Sequence, residues 1–420
     1  MGSWSCRARR ARSVPEASIE LTSSDRAMLA GEKGPGCALA MTVVTKTAIQ
    51  MGATRLLDIS SAHIDSCLFH GIAGLDFARR LLAGGAKTAV PATLNVGALD
   101  LLHPDLYRGP SETAVLSREL MDTYQLLGCA PTWTCAPYQL PDRPRFGAQV
   151  AWAESNAVVF VNSVLGARSN RYGDFIDISC AITGRAPAIG LHLDEGRQAT
   201  MEIRMGDDLP TAHDWLYPIL GCVVGEIAGP AVPVLWGLPS ELSEDRLKAL
   251  GAGAATTGSI ALFHAVGSTP EALEPFSLSV APSAPAFDIT LTDIERIRAK
   301  LSIAAGAKPD AVSLGAPHYS ATELETLVEM LAGREVHLPT FVNTGRAVIA
   351  GRPDLTSTLA AAGVTVVTDT CTYLSPILDP ETRVVITDSG KWAYYAPGNI
   401  GVGVIFASTS ECVEVAVGNA

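Results

Sequence analysis

Charge and aromatic rings are both scarce in this sequence. Charged residues make up 18% and aromatic residues 6% of 420 positions, against 48% hydrophobic. A chain this apolar has a large core to bury, which excludes general disorder. Acidic side chains outnumber basic ones, 43 to 31, for a net charge of −12. A broad basic face for nucleic acid is therefore not expected. The 38 glycines show no three-residue period and the nine cysteines are sparse, so collagen-like and disulfide-scaffold classes are excluded. The most apolar stretch, 217–237, contains Pro218, Glu226, Pro230 and Pro233, so no membrane span is expected. Residues 1–30 hold no apolar stretch of the secretory kind. Reduced thiols and a cytoplasmic location are expected. There is no GxGxxG after a strand, no Walker loop, no GxSxG and no HExxH, and Cys129 and Cys135 are six apart rather than in a CxxC.

What remains is a long alternation of short β-type runs, loops and helical segments, the pattern of an α/β protein with mostly parallel sheets. Residues 1–18 read as a disordered tail whose first twelve positions carry four Arg and no acid. An α/β region is expected over 19–275, a Pro/Ser-rich connector over 276–290, and regular βαβ units over 291–420, with strands rich in Val and Ile as in a sheet covered on both faces. Helices are expected near 22–31, 36–52, 72–84, 111–127 and 173–184. SNAVVFVNS (155–163) reads as a β-type run and APAIGLHL (186–193) as a strand. Ser320 with Glu323 makes a capping box for a helix over SATELETLVEMLAG.

Polar residues gather at the expected strand ends, where α/β sites form. Ser60, Ser61 and His63 follow LLDI. They suit a substrate carboxylate or a proton transfer, and equally a turn with a helix cap. Cys129 and Cys135 lie in a loop with Thr132, Thr134 and Tyr138, suited to an iron–sulfur cluster or to plain burial. Residues 144–175 set Glu154, Asn162, Ser163, Arg168, Asn170 and Asp174 among apolar neighbours. Such groups are costly to bury unpaired, so they mark either a site or an inter-domain salt-bridge network. His192 stands beside Asp194 and Glu195. His318, then Asp369 to Cys371, then Asp388, Ser389 and Lys391 follow successive β-runs and are expected to converge.

Taken together, LTSSDRAMLAGEKG, ISSAHI, TLN (93–95), APTWTCAPY, PRFGAQVAWAESNAVVFVNSVLGARSNR, ITGRAPAIGLHLD, SLGAPHYS and SGKWAYYAPG resemble the large catalytic part of aconitase X, a divergent branch of the aconitase superfamily. The resemblance runs in order over residues 20–415. It implies a multi-layer aconitase-like fold and a lyase that removes water from a small hydroxy acid through an iron–sulfur centre. It also implies a small swivelling domain, here expected as a separate subunit. Two branches are distinguished by substrate, and Asn170 to Phe175 resembles the one that dehydrates cis-3-hydroxy-L-proline to Δ1-pyrroline-2-carboxylate. The alternatives are mevalonate 5-phosphate dehydration, a different hydroxy acid, or a non-catalytic binding protein. Cys135 and Cys371 stand at positions matching iron ligands, with Cys129 as an extra thiol. Ala316 stands where the archaeal branch has Cys, which favours a [2Fe–2S] or mononuclear iron centre.

Dehydration needs a base for the Cα proton, a Lewis acid for the hydroxyl and a cation for the carboxylate. Ser61 is the first candidate base, with His63 and Lys391 as rivals. Arg168 is the candidate carboxylate clamp. Asp174, Asp177 or Glu154 would pair with a ring ammonium. Ser60, Asn162, Ser163, Asn170, His192, His318 and Ser389 complete the expected substrate contacts.

Overall fold

The computed structural model describes residues 19–274, 280–281 and 283–418. The tail expected over 1–18 lies outside the described residues, as does part of the connector expected over 276–290. The chain is built from three α/β units, each with its own parallel sheet.

The first unit opens with α1 (Ser23–Leu29) and α2 (Pro35–Met51). Thr22 caps α1 through a reciprocal box with Asp25. β1 (Leu56–Asp58), β2 (Ser61–Ile64), α3 (Ile72–Ala83), β3 (Ala92–Leu94), α4 (Ser111–Leu126) and β4 (Val150–Trp152) follow. Then come α5 (Ser155–Ser163), α6 (Ile176–Thr183) and β5 (Arg185–Pro187). β3, β2 and β4 form a parallel three-stranded sheet in that order, and β1 pairs antiparallel with β5.

The second unit carries β6 (Met201–Met205), α7 (Leu216–Ala228), β7 (Pro233–Trp236), α8 (Glu244–Gly258), β8 (His264–Ala265), β9 (Ala286–Ile289) and α9 (Leu291–Leu301). Its four strands are parallel in the order β8-β7-β6-β9. The third carries β10 (Ala311–Tyr319), α10 (Ala321–Leu331), β11 (Thr340–Thr344), α11 (Arg346–Gly351), α12 (Pro353–Ala361) and β12 (Val364–Val367). It ends with β13 (Val384–Thr387), α13 (Gly390–Asn399), β14 (Gly403–Phe406) and α14 (Thr409–Ala416). Its parallel sheet runs β12-β11-β10-β13-β14. The Ser320–Glu323 capping box is present.

Three local readings change. SNAVVFVNS is α5, not a strand. Glu154 caps it by accepting from Ala157 N, and all but one of its residues are buried. Burial on every side removes the periodicity that would separate helix from strand. The segment 186–193 keeps only β5 at its start and then turns through Gly190–His192. The last residues of the expected connector form β9, which joins the second sheet beside β6. Among the described residues no helix is long and apolar enough to cross a membrane.

One apolar core runs from the second unit into the third, from Leu220 and Leu250 to Trp392 and Val404, and it reaches Cys135 and Cys371. The first unit has a separate core around Met41, Leu94 and Tyr124. Between these cores the carboxyl ends of the first and third sheets meet.

Candidate active site

Loops that leave parallel strands at their carboxyl ends are free of ladder constraints and can present polar groups. In the first sheet, β3 runs into Asn95, β2 into Asp65 and β4 into Glu154. In the third, β12 leads to Cys371, β13 to Ser389 and Lys391, and His318 lies near the end of β10. Backbone contacts lock the two sheets together, with Gly97 N donating to Asp369 O at 2.7 Å and Thr368 N to Asp100 Oδ2 at 2.8 Å.

The first group is Cys135, His318 and Cys371, all buried, with their ligand atoms within 4.8 Å of one another. His318 Nε2 sits 3.1 Å from the Thr370 carbonyl, which can only accept, so Nε2 carries the proton. Nδ1 is then the free lone pair, and Thr134 Oγ1 lies 3.1 Å from it. The His318 backbone N–H donates to Cys135 Sγ at 3.2 Å. Burial pushes the Cys135 thiol up, but a hydrogen bond from Cys371 and the Lys391 charge outweigh it and hold the thiol below its ordinary range. Two thiols and an oriented imidazole are a soft donor set that suits a metal or iron–sulfur centre.

Beside this group Lys391 Nζ is ion-paired with Glu154 Oε1, both buried. Glu154 Oε2 also accepts from Ala157 N at 2.7 Å and Asn156 Nδ2 at 2.5 Å. Burial pushes the Glu154 carboxyl up, yet the Lys391 charge and hydrogen bond and the Ala157 amide hold it below the ordinary range. Burial would lower Lys391, but the Glu154 charge holds it well above its usual value, so it stays an ammonium. Ser389 caps α13 by accepting from Trp392 N at 3.0 Å, and its hydroxyl donates to Ala316 O.

His63 lies beneath these groups in β2. It is wholly buried, with Nδ1 2.8 Å from Thr93 Oγ1 and its ring tilted on Trp152 at 5.6 Å. Burial lowers its pKa to about 3, against an upward pull from Glu154, so it is neutral.

Most other expected residues lie elsewhere. Ser61 opens β2, four residues before Asp65, so about 13 Å of strand separates it from the carboxyl end. Ser60 is exposed and donates to Gln149 O at 3.1 Å. Asn162 cross-links Ser169 O and Ala261 O, and Ser163 Oγ accepts from Phe263 N. Arg168 pairs with Asp194 and reaches His192 O, while Arg171 is exposed and reaches Ala255 O at 3.4 Å. Asn170 bridges Ile189 O and Leu191 N. His192 is held between Tyr172 OH and Gln149 Oε1, both at 2.6 Å, and burial lowers its pKa to about 4. Asp174 is exposed. Cys129 stands apart from the other two thiols, raised by burial and then by Asp177. Among them the buried polar residues Asn162, Ser163, Asn170 and His192 each have a hydrogen-bond partner, as apolar surroundings require.

Asp65 and Asn95 were missed. Asp65 directly follows the ISSAHI run and Asn95 ends TLN, so a polar residue closing each β-run was the available signal.

Models of the aconitase X first, second and third domains match residues 18–195, 199–299 and 309–418. The chain belongs to the aconitase X family. Its relatives in that family include a cis-3-hydroxy-L-proline dehydratase of Pseudomonas aeruginosa, 42% identical over 413 residues that cover 96% of this chain and 71% of that protein. A protein of the same name from Hypocrea jecorina is 39% identical over 95% of this chain and 69% of its own. A phosphomevalonate dehydratase large subunit of Methanothermobacter thermautotrophicus is 34% identical over 92% and 96%. The crystal structure of Thermococcus kodakaraensis aconitase X in its holo-form superposes with a TM-score of 0.86 at 32% identity, covering 95% of this chain and all of that one.

Proposed function

We propose that this aconitase X chain is a hydro-lyase that dehydrates cis-3-hydroxy-L-proline to Δ1-pyrroline-2-carboxylate. One observation carries the choice of substrate. The buried and half-buried cations at the joined strand ends, Lys391 and Arg346, are already paired with Glu154 and Asp369, and Arg168 is paired with Asp194. A phosphate would need several convergent unpaired cations. A zwitterionic ring acid needs one cation for its carboxylate and one anion for its nitrogen, which this site has. The relatives at 42% and 39% identity carry the hydroxyproline name, and the phosphomevalonate relatives are more distant.

Cys135, His318 and Cys371 would hold the iron centre, in a [2Fe–2S] or mononuclear form, with His318 Nδ1 taking the place that Ala316 cannot fill. When bound, that centre supplies Lewis acidity toward the hydroxyl leaving Cβ. Lys391, kept protonated by Glu154, holds the substrate carboxylate with its remaining N–H bonds. Loss of the Cα proton and of hydroxide from Cβ gives an enamine that tautomerises to the cyclic imine. Ser61 lies at the far end of β2, His63 is buried with its Nε2 unpaired among the described residues, and Lys391 has no free lone pair. We assign the base to a small swivelling unit that closes over the strand ends. The hydroxyproline relatives extend beyond the matched region, and the phosphomevalonate relatives are named large subunits.

The test is an assay of the iron-loaded chain with its small unit against both substrates, following the imine by its reduction. A higher kcat/KM for cis-3-hydroxy-L-proline is expected. A higher value for mevalonate 5-phosphate would overturn the reading.

A further inference from the structure

Four carboxylates crowd the carboxyl end of the first sheet, and they are unequally satisfied. Glu154 has Lys391. Asp177 is buried and accepts from Asp65 N, Ser66 N, Ser66 Oγ and Ile178 N, all within 3.0 Å. Asp174 is exposed to water. Asp65, half-buried, has one contact among the described residues, from Asn95 Nδ2 to its Oδ1.

Asn95 is the second observation. Its side chain is 3% exposed, and its Oδ1 is buried without a hydrogen-bond partner among the described residues. The Nδ2 contact to Asp65 decides which way the amide is turned, because a carboxylate can only accept. The unpaired Oδ1 therefore belongs to the same amide that touches the carboxylate lacking a cation. A buried carbonyl oxygen is costly to leave unpaired, and Asn95 Oδ1 has no donor among the described residues.

We propose that Asp65 Oδ2 and Asn95 Oδ1 form an ammonium subsite, each accepting one of the two N–H bonds of a protonated ring nitrogen. The proposal rests on the cyclic amino acid reading above and deepens it. It gives the substrate two fixed ends, with the carboxylate on Lys391 from the third sheet and the nitrogen on Asp65 and Asn95 from the first. Cα, which carries both anchored groups, then lies between them, and Cβ with its hydroxyl is left to face the Cys135–His318–Cys371 group. It also accounts for the ionisation of Asp65, which burial and the charges of Glu154, Asp177 and Asp174 raise to about 7. A bound ammonium supplies the missing counter-charge.

The experiment compares L-proline with (S)-tetrahydrofuran-2-carboxylate by calorimetry on the iron-loaded holoenzyme. The two acids share ring size and carboxylate, but only proline has N–H bonds. Wild type is expected to prefer proline by roughly 100-fold or more, because polar groups left unpaired reject an analogue that lacks their partner. Asp65→Asn should collapse that preference to within about tenfold, through lost proline affinity, while the ether acid binds as before. Asn95→Ala should give a smaller loss of the same kind, and it stands in if Asp65→Asn does not fold. Equal weakening of both ligands, or an intact preference in both variants, would overturn the proposal. So would lost kcat with unchanged proline affinity, since Asp65 would then be a base. A wild type that prefers proline yet does not dehydrate cis-3-hydroxy-L-proline would sink the functional reading and leave the subsite standing. A wild type with no preference would sink the subsite whatever its turnover.

Discussion

The first and third sheets present the same topological feature, the carboxyl ends of parallel strands, and fill it with opposite chemistry. The first ends in two carboxylates, Asp65 and Glu154, and the amide of Asn95. The third ends in His318, Cys371 and Lys391, a metal-type donor set and an ammonium. Joining them end to end places soft ligands and a cation opposite acids. Lys391 and Glu154 show the economy of this, since each is the other's partner across the joint.

The strongest way to break the contrast is to remove the two thiols of the metal-type group, Cys371 from the third unit and Cys135 from the loop of the first unit that meets it. Cys135→Ser and Cys371→Ser should each lose the iron centre and cut activity by roughly 1000-fold or more, read by iron quantitation and by EPR of anaerobic protein. Wild-type iron in both variants would refute the assignment.

Next comes the joint itself. Lys391→Met leaves Glu154 buried and unpaired and should cost about 3–5 kcal/mol in urea unfolding. The double variant Lys391→Met with Glu154→Gln should recover most of that stability but none of the activity. Recovery of turnover would deny Lys391 a role beyond folding.

The acids of the first sheet and the buried histidines should also differ in the pH range where each matters. Asp65 and Asp177 are raised to about 7 and about 6 by burial. Both values exceed those of an unfolded chain, near 4. The stability these groups contribute is therefore present below about pH 4 and lost as pH rises toward 7. His63 and His192 are lowered to about 3 and about 4, so their contribution is present above about pH 6.5 and lost on acidification. Asp65→Asn should thus raise stability by about 1–2 kcal/mol at pH 8 and leave it unchanged at pH 4. A uniform shift across that range would refute burial of the Asp65 charge as the cause.

The smallest effects are expected from residues outside the joint. Arg168→Lys alters a partly exposed pair with Asp194 and should cost less than about 1 kcal/mol, with kcat within roughly threefold of wild type. Ser61→Ala should likewise leave kcat within roughly threefold while iron is retained, because Ser61 sits at the amino end of β2. A large kcat loss in either variant would move the site away from the carboxyl ends.

Much of the architecture was legible along the chain. The αβ alternation of the third unit, the Ser320–Glu323 box and the convergence of the loops after β10, β12 and β13 follow from local pattern and capping chemistry. α5 was not legible, because a segment buried all round carries no amphipathic period. β9 was hidden by Pro and Ser in the segment before it.

The site divides along the same line. Cys135, Cys371, His318, Lys391, Ser389 and Glu154 are residue types whose chemistry can be read from order alone, and for Cys371, His318, Lys391 and Ser389 so can the position after a β-run. Which of them touch cannot, because the pairs are distant in sequence: 237 positions separate Lys391 from Glu154, and 183 separate His318 from Cys135. The dense polar stretch 144–175 is the converse case. It has the composition of a site, yet Asn162, Ser163, Arg168 and Asn170 are spent on backbone groups and on Asp194. Sequence by itself determined most of the elements, the α/β class with its mostly parallel sheets and the family resemblance, since those depend on local pattern and motif. Only the tertiary structure decided that Glu154 is neutralised while Asp65 is not, because charge compensation depends on which strand ends the folded sheets bring within a few ångströms.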